Sequence, residues 1–204
     1  MIIIAHRGYW KKEEEKNTKT AIERAFDSGF GVEIDLRDIC GKIVVSHDMP
    51  KGDEITFEEV LKILAGRNLP LALNIKADGQ AKEIKQLLEK YNHTNYFCFD
   101  MSIPEMVCQN KLGLNVFTGL SDIIKHPIML DEACGVWLDS FNADWFSQKD
   151  IKEILDKGKQ VCIVSPELHK RNYVNIWKNY KCFDNIMLCT DYPDIAKGFF
   201  NEQD

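Results

Sequence analysis

The sequence predicts a small closed (β/α)₈ TIM barrel with a parallel sheet, occupying residues 1–204 as one domain. Three observations lead to it. Short apolar runs of strand length recur eight times along the chain, and polar segments with helical periodicity separate them. Strands alternating with helices imply a parallel sheet, and eight such units in 204 residues suit a closed barrel near the lower size limit of that fold. The third observation is that ionisable residues collect just where those runs end, which in a barrel is one rim.

The elements follow in order. Ile2 to Ala5 is the first run and ends at His6-Arg7-Gly8. Thr20-Ala21-Ile22-Glu23 has the spacing of a capping box and opens a helix that ends near Gly29. In the second run, Val32 to Leu36, period 2 puts Glu33 and Asp35 on one face and turns Val32, Ile34 and Leu36 toward helices. A short extra run, Ile43 to Val45, lies inside the next connection and ends on Ser46-His47-Asp48. Thr56-Phe57-Glu58-Glu59 fits a second capping box ahead of Val60, Leu61 and Leu64. Leu71 to Ile75 is the third run, with Asn74 and Lys76 on a common face. A helix over Gln80 to Tyr91 stripes Ile84, Leu87 and Leu88. Tyr96 to Phe99, Asn115 to Thr118 and Gly135 to Leu138 are the next three runs, the last followed by Asp139. Gln148 to Lys157 repeats the helical stripe with Ile151, Ile154 and Leu155. Gln160 to Val164 leads into Ser165-Pro166-Glu167, and Ile186 to Cys189 leads into Thr190-Asp191. The connections around 101–112, 119–133 and 168–181 are less regular but long enough for crossovers.

Composition excludes several classes. With 45% apolar and 28% charged residues the chain can bury a sizeable core. A formal charge of -6 argues against a nucleic-acid-binding surface, so no nucleic-acid partner is expected. No apolar stretch is long enough for stable membrane insertion. The N-terminal apolar run is over by His6-Arg7, too short for a signal peptide, and the expected location is cytoplasmic. Seven cysteines, an odd number with no C-x-x-C pair, read as buried reduced thiols acting as small hydrophobes. Composition leaves the oligomeric state open.

Carboxylates on an apolar strand are costly unless they are paired or bind a cation. Glu33 and Asp35, with Asn74 and Lys76 on a later strand, therefore form the pattern of a metal site. Single features of this kind are weak, and their combination is specific: A-H-R-G at 5–8, N-T at 17–18 before a helix, V-E-I-D at 32–35, S-H-D at 46–48 and N-I-K at 74–76. In that order and spacing the sequence resembles the glycerophosphodiester phosphodiesterase family, within the phosphatidylinositol-phospholipase-C-like barrels. The likeness is strongest over residues 3–76 and returns at Leu188-Cys189-Thr190-Asp191-Tyr192-Pro193, similar to the family's closing T-D-x-P.

The resemblance implies a metal-dependent hydrolase acting on a small phosphodiester. Glu33, Asp35 and Asn74 would hold a divalent cation, Mg²⁺ or Ca²⁺, through oxygen ligands. Arg7 and Lys76 would neutralise the phosphate, while His6 would act as base and His47 as acid, tasks suited to imidazole. Trp137, Asp139, Glu167, His169, Lys170 and Arg171, on or after the sixth and seventh strands, are the expected substrate contacts; Tyr9 and Trp10 could also line the pocket.

Departures from the family pattern keep two alternatives open. Lys16-Asn17-Thr18 stands where the family has E-N-T, with Glu15 one residue away as a replacement carboxylate. Asn74-Ile75-Lys76 replaces E-x-K, and the usual insertion after His47-Asp48 is missing, which should leave an open mouth and a different substrate. The seventh strand lacks the family's V-N pair. The alternatives are a lyase that stops at a cyclic phosphate, and a non-catalytic phosphoester-binding barrel whose metal site has decayed.

Overall fold

The computed structural model describes residues 1–201. Nine strands form one sheet: β1 (Ile2–His6), β2 (Gly31–Ile39), β3 (Lys42–Val45), β4 (Leu71–Ile75), β5 (Tyr96–Phe99), β6 (Phe117–Leu120), β7 (Gly135–Leu138), β8 (Gln160–Val164) and β9 (Met187–Thr190). Eight of them run in the order β5-β4-β2-β1-β9-β8-β7-β6, and every neighbouring pair along that path is parallel. The ring closes through a parallel bridge between Cys98 and Val116, where Cys98 N donates to Asn115 O at 2.8 Å. This is the (β/α)₈ barrel that the sequence predicts. The extra run is β3, which folds back antiparallel on β2 with Leu36 opposite Val45.

The helices are α1 (Lys19–Asp27), α2 (Phe57–Leu64), α3 (Ala81–Lys90), α4 (Ile103–Lys111), α5 (Gln148–Asp156), the short α6 (Val174–Trp177) and α7 (Pro193–Asn201). The capping box at Thr56 forms as expected, with the side chains of Thr56 and Glu59 satisfying each other's backbone N–H groups. The box expected at Thr20 does not. Thr18 is the N-cap, in extended conformation, and accepts from Ala21 N at 3.4 Å. The reason is an upstream anchor: Asn17 N donates to Arg7 O at 2.9 Å, and the helix starts as soon as the chain leaves that contact. The fifth strand-like run is also displaced. Asn115 and Val116 serve the closing bridge, and ladder pairing with β7 begins at Phe117.

Two apolar layers follow from strand alternation. Val32, Ile34 and Leu36 of β2 point outward and pack in one cluster with Ile22 and Phe26 of α1 and with Val60 and Leu64 of α2. Burial of each such side chain contributes about 1.5–3 kcal/mol. The inward faces supply a second cluster from Ile4, Ala72, Phe97, Phe99, Phe117, Trp137, Cys162, Val164, Met187 and Cys189. Gly135 lies in that interior, where an added Cβ would fall 2.4 Å from the Phe117 ring. All seven cysteines are free; Cys98, Cys162 and Cys189 are buried as expected, whereas Cys40, Cys108 and Cys182 are exposed. No helix among the described residues is long and apolar enough to cross a membrane.

Candidate active site

The C-terminal ends of β1, β2 and β4 bring the predicted ionic residues together. After β1 the chain turns sharply through Arg7 and Gly8, both in the left-handed region at φ 56° and 86°. Gly8 has a second constraint, because a Cβ there would sit 2.8 Å from the backbone of Ala21 in α1. Arg7 N donates to Glu33 O at 3.0 Å and reaches Glu33 Oε2 at 3.2 Å, which ties the turn to β2.

Asp35 is the hub. It has no solvent exposure. Arg7 Nε lies 2.9 Å from its Oδ2 and Lys76 Nζ 3.3 Å from its Oδ1. Asn17 Nδ2 donates to Oδ2 at 2.8 Å. The Arg7 contact is an ion pair without hydrogen-bond alignment, since Arg7 Nε remains a buried donor with no bonded acceptor. Glu33, 1% exposed, is less well compensated. Burial first, then the neighbouring Asp35 charge, push its carboxyl up to about 7, against the pull of His6, Arg7 and Lys76.

His6 completes this side. Its Nδ1 lies 2.7 Å from Asp191 Oδ1, beyond β9, and its Nε2 is 3.9 Å from Glu33 Oε2. An ionised carboxylate only accepts, so Nδ1 is the donor in this contact, and in the neutral imidazole Nε2 keeps the lone pair. Asp191 is held in turn: its backbone N donates to Glu167 Oε1 at 3.1 Å, and the hydroxyls of Thr190 and Ser165 donate to the two Glu167 oxygens. Trp177 Nε1 donates to Ser165 Oγ at 2.8 Å. Glu167, expected to contact substrate, has both oxygens committed to β8 and β9 and instead braces the partner of His6. Burial raises its pKa.

Other expectations fare differently. His47 is 48% exposed at its side chain and pairs with Asp48 at 2.9 Å. That pairing, with the charges of His47, Arg7 and Arg37, lowers the pKa of the Asp48 carboxyl. Glu15 does not replace a missing carboxylate: it accepts from Arg24 and from Lys11 N, both at 2.8 Å, and closes its own loop. Trp137, read as a pocket residue, is 7% exposed and stacks on Phe99 with ring centroids 3.9 Å apart, so it belongs to the barrel core. Tyr9 packs edge-on against Phe30, and Trp10 donates from Nε1 to His6 O at 3.1 Å. On the opposite rim Asp139 accepts from His169 Nε2 at 2.7 Å and from Ser140 N at 2.6 Å. The Asp139 contact raises the His169 pKa. Arg171 binds Ser140 O and Asp144, and Lys170 is exposed.

Asp100, directly after β5, went unnoticed in the sequence. The residue has solvent exposure, yet protein crowds its carboxyl. That crowding, with Asp139 and Asp35 nearby, pushes it up to about 6, while Lys76 and a hydrogen bond from the Asn74 side chain act the other way. Its signal was the one that marked the other sites, an ionisable residue at the end of an apolar strand.

The donors suit a hard cation. Among the described residues no group of three or more His, Cys, Asp or Glu is arranged around a metal position. Even so, Asn74 Oδ1 and Asn17 Oδ1 are buried oxygens without a hydrogen-bond partner, and Asp35 Oδ1 has only the Lys76 ammonium, at 3.3 Å and without hydrogen-bond alignment. Beside them two carboxylates repel each other, and an oxygen-binding cation would relieve both conditions.

Comparison with known proteins bears on the fold. No family model matches the chain, and no curated protein matches it. Solved structures do. A Galdieria sulphuraria protein assigned as a glycerophosphodiester phosphodiesterase is 20% identical, with a TM-score of 0.78 over 98% of each chain. A glycerophosphodiester phosphodiesterase from Agrobacterium tumefaciens is 16% identical, with a TM-score of 0.75 over 99% of this chain and 100% of that one. A phosphodiesterase from Oleispira antarctica, solved with the product sn-glycerol-3-phosphate, is 16% identical, with a TM-score of 0.73 over 99% of this chain and 97% of that one. At these identities the likeness establishes a shared barrel of the same extent.

Proposed function

We propose that the chain is a metal-dependent phosphodiester hydrolase of the glycerophosphodiester phosphodiesterase type, acting on a small phosphodiester. The observation that carries the reading is the His6–Asp191 pair, with His6 Nε2 3.9 Å from Glu33 Oε2 while Arg7 and Lys76 converge on Asp35. The structural neighbours described as phosphodiesterases add support.

Glu33, Asp35 and Asn74 hold the cation, Mg²⁺ or Ca²⁺, which when bound supplies positive charge to the phosphate oxygens. Arg7 and Lys76 add their own charge and fix the diester's orientation. His6 Nε2 takes a proton from the attacking water as its oxygen bonds to phosphorus and the bond to the leaving alcohol oxygen breaks, and Asp191 stabilises the imidazolium that results. Glu167, through Thr190 and the Asp191 backbone, keeps that carboxylate in line. His47, in the hydrated loop after β3, returns a proton to the leaving oxygen. His169, Lys170 and Arg171, with Asp139, form the far wall against which one alcohol arm lies. A small soluble or lipid-derived phosphodiester substrate and a cytoplasmic location complete the reading.

The test is release of nitrophenol from bis-p-nitrophenyl phosphate with Mg²⁺, with Ca²⁺ and with EDTA, followed by phosphorus NMR on a glycerophosphodiester. Cation-dependent turnover to a monoester, lost in His6→Ala, is expected. Accumulation of a cyclic ester would identify a lyase instead. Tight diester binding without any turnover would identify a non-catalytic barrel.

A further inference from the structure

The barrel mouth has two chemically different sides. Arg7, Lys76 and the His6–Asp191 pair stand over β1, β2, β4 and β9. Over β6 and β7 the mouth instead carries apolar side chains in solvent: Ile123 is 63% exposed, Ile124 45% and Phe141 42%. Single exposed apolar residues are ordinary on a protein surface, whereas a fixed group of them beside a site marks a contact surface.

This group is fixed. The chain passes from β6 to β7 without a helix, and its first turn is built on the buried Ser121. Ser121 Oγ accepts from Ile123 N at 3.1 Å and from Ile124 N at 2.8 Å, and Ser121 N donates to Ile124 O at 2.9 Å. Asp122 then fastens this turn to the one after β7. Its carboxylate accepts from Phe141 N at 2.7 Å and from Asn142 N and Nδ2, both at 2.9 Å. The two turns are thus held as one platform while their apolar side chains stay uncovered.

The platform leans into the mouth. Phe117 of β6 is an interior residue, so Gly119, two positions on, faces the interior as well, and it pairs with Trp137 across the ladder. A Cβ built on Gly119 would lie 3.6 Å from Ile124 Cδ1, which places Ile124 over the open end of the aromatic core. Phe141 covers the adjacent position. Its ring centroid is 4.8 Å from that of His169, whose Nε2 reaches Asp139 Oδ1. Through Ile124 and Phe141 the platform is continuous with the far wall of the proposed site.

We infer that the alcohol arm lying on this wall is a hydrocarbon chain: the substrate is a single-chain amphiphilic phosphodiester, its phosphate at Arg7 and Lys76 and its chain over Ile123, Ile124 and Phe141. One ligand that crosses the mouth meets both sides, ionic at the phosphate and apolar beyond it, and this is the occupant that the inward lean of Ile124 and Phe141 fits. The inference rests on the phosphodiester reading above and narrows its substrate class.

Binding of alkylphosphocholines tests it apart from turnover. Butyl-, hexyl- and octylphosphocholine, each below its critical micelle concentration, would be titrated with Mg²⁺ present into His6→Ala and into His6→Ala carrying Ile123→Ser and Phe141→Ser, with folding checked by circular dichroism. Each fully buried methylene raises affinity about fourfold. On a platform open on one side, the step from butyl to octyl should raise affinity about tenfold or more, and the serine pair should flatten that rise to within about twofold. No binding, equal affinity across the series, or a rise that the serine pair leaves unchanged overturns the inference. A rise confined to concentrations above the critical micelle value also overturns it, and makes a lipid surface the occupant. The parent reading fails separately: chain-length-dependent binding with no wild-type turnover of bis-p-nitrophenyl phosphate removes the hydrolase and keeps the apolar arm.

Discussion

The two halves of the barrel rim carry similar residue types and satisfy them to different degrees. On the β7–β8 side Asp139 is bonded by His169 and by Ser140 N, while Arg171 is bonded by Ser140 O and Asp144. Trp145 Nε1 closes the network on Asp139 O at 2.7 Å. On the β1–β2–β4 side Asn17 Oδ1 and Asn74 Oδ1 are buried and unbonded, Asp35 meets Arg7 Nε and Lys76 Nζ in ion pairs without aligned hydrogen bonds, and burial and the Asp35 charge push the Glu33 carboxyl up to about 7. Buried polar groups are normally satisfied, because each that is not costs about 1–3 kcal/mol. The β7–β8 side is thus compensated from within the protein, and the β1–β2–β4 side is the one on which the proposed cation and phosphodiester would act.

The sharpest way to break this comparison is at its hub. Asp35→Ala leaves Arg7 and Lys76 without their shared carboxylate, and removing one partner of a buried ion pair costs about 3 kcal/mol or more. Urea denaturation should show that loss, and phosphodiester turnover should vanish with it.

Glu33 gives the next effect, with a defined sign. Its folded pKa, about 7, is raised above the ordinary carboxyl value of 4.5. The folded state therefore binds the proton more tightly, and stability declines as pH rises from about 4.5 through about 7. Glu33→Gln should remove that decline and stabilise the fold at pH 8 by about 2–3 kcal/mol, measured as unfolding free energy against pH. A variant no more stable than wild type at pH 8 would mean that the Glu33 charge is already compensated.

Much of this arrangement was legible in the sequence, and the reasons differ by residue. His6, Arg7, Glu33, Asp35 and Lys76 stood out because period 2 fixes which strand positions share a face and because barrel sites lie at strand ends. Trp137 was misread by the same rule: alternation tells which side of the sheet a residue faces, but not its height, and Trp137 lies one inward step below Asp139 in the aromatic core. Asp191 was visible as a strand-end residue, but its partnership with His6 spans 185 positions and no local pattern encodes it. The Thr20 box failed because a contact between the ends of one loop, Asn17 to Arg7, set the helix start.

Smaller effects belong on the saturated rim. Asp139→Asn weakens a charge-assisted bond to His169 and should cost about 1–3 kcal/mol. Asp139 raises the His169 pKa, so the stabilisation is complete below the unfolded histidine value and is lost as pH rises through the raised folded one. The gap in melting temperature between wild type and Asp139→Asn should accordingly be wide at pH 5 and narrow above neutrality.

The most direct measurement sets one histidine against the other. Steady-state turnover of a small phosphodiester in saturating Mg²⁺ would be compared for His6→Ala and His169→Ala. A base on the unsaturated rim requires kcat to fall about 10²–10⁴-fold in His6→Ala. A wall residue requires that His169→Ala change KM with kcat within about threefold of wild type, because it removes binding shared by ground and transition states. Retention of kcat in His6→Ala, or its collapse in His169→Ala alone, would contradict the assignment of chemistry to the β1–β2–β4 rim.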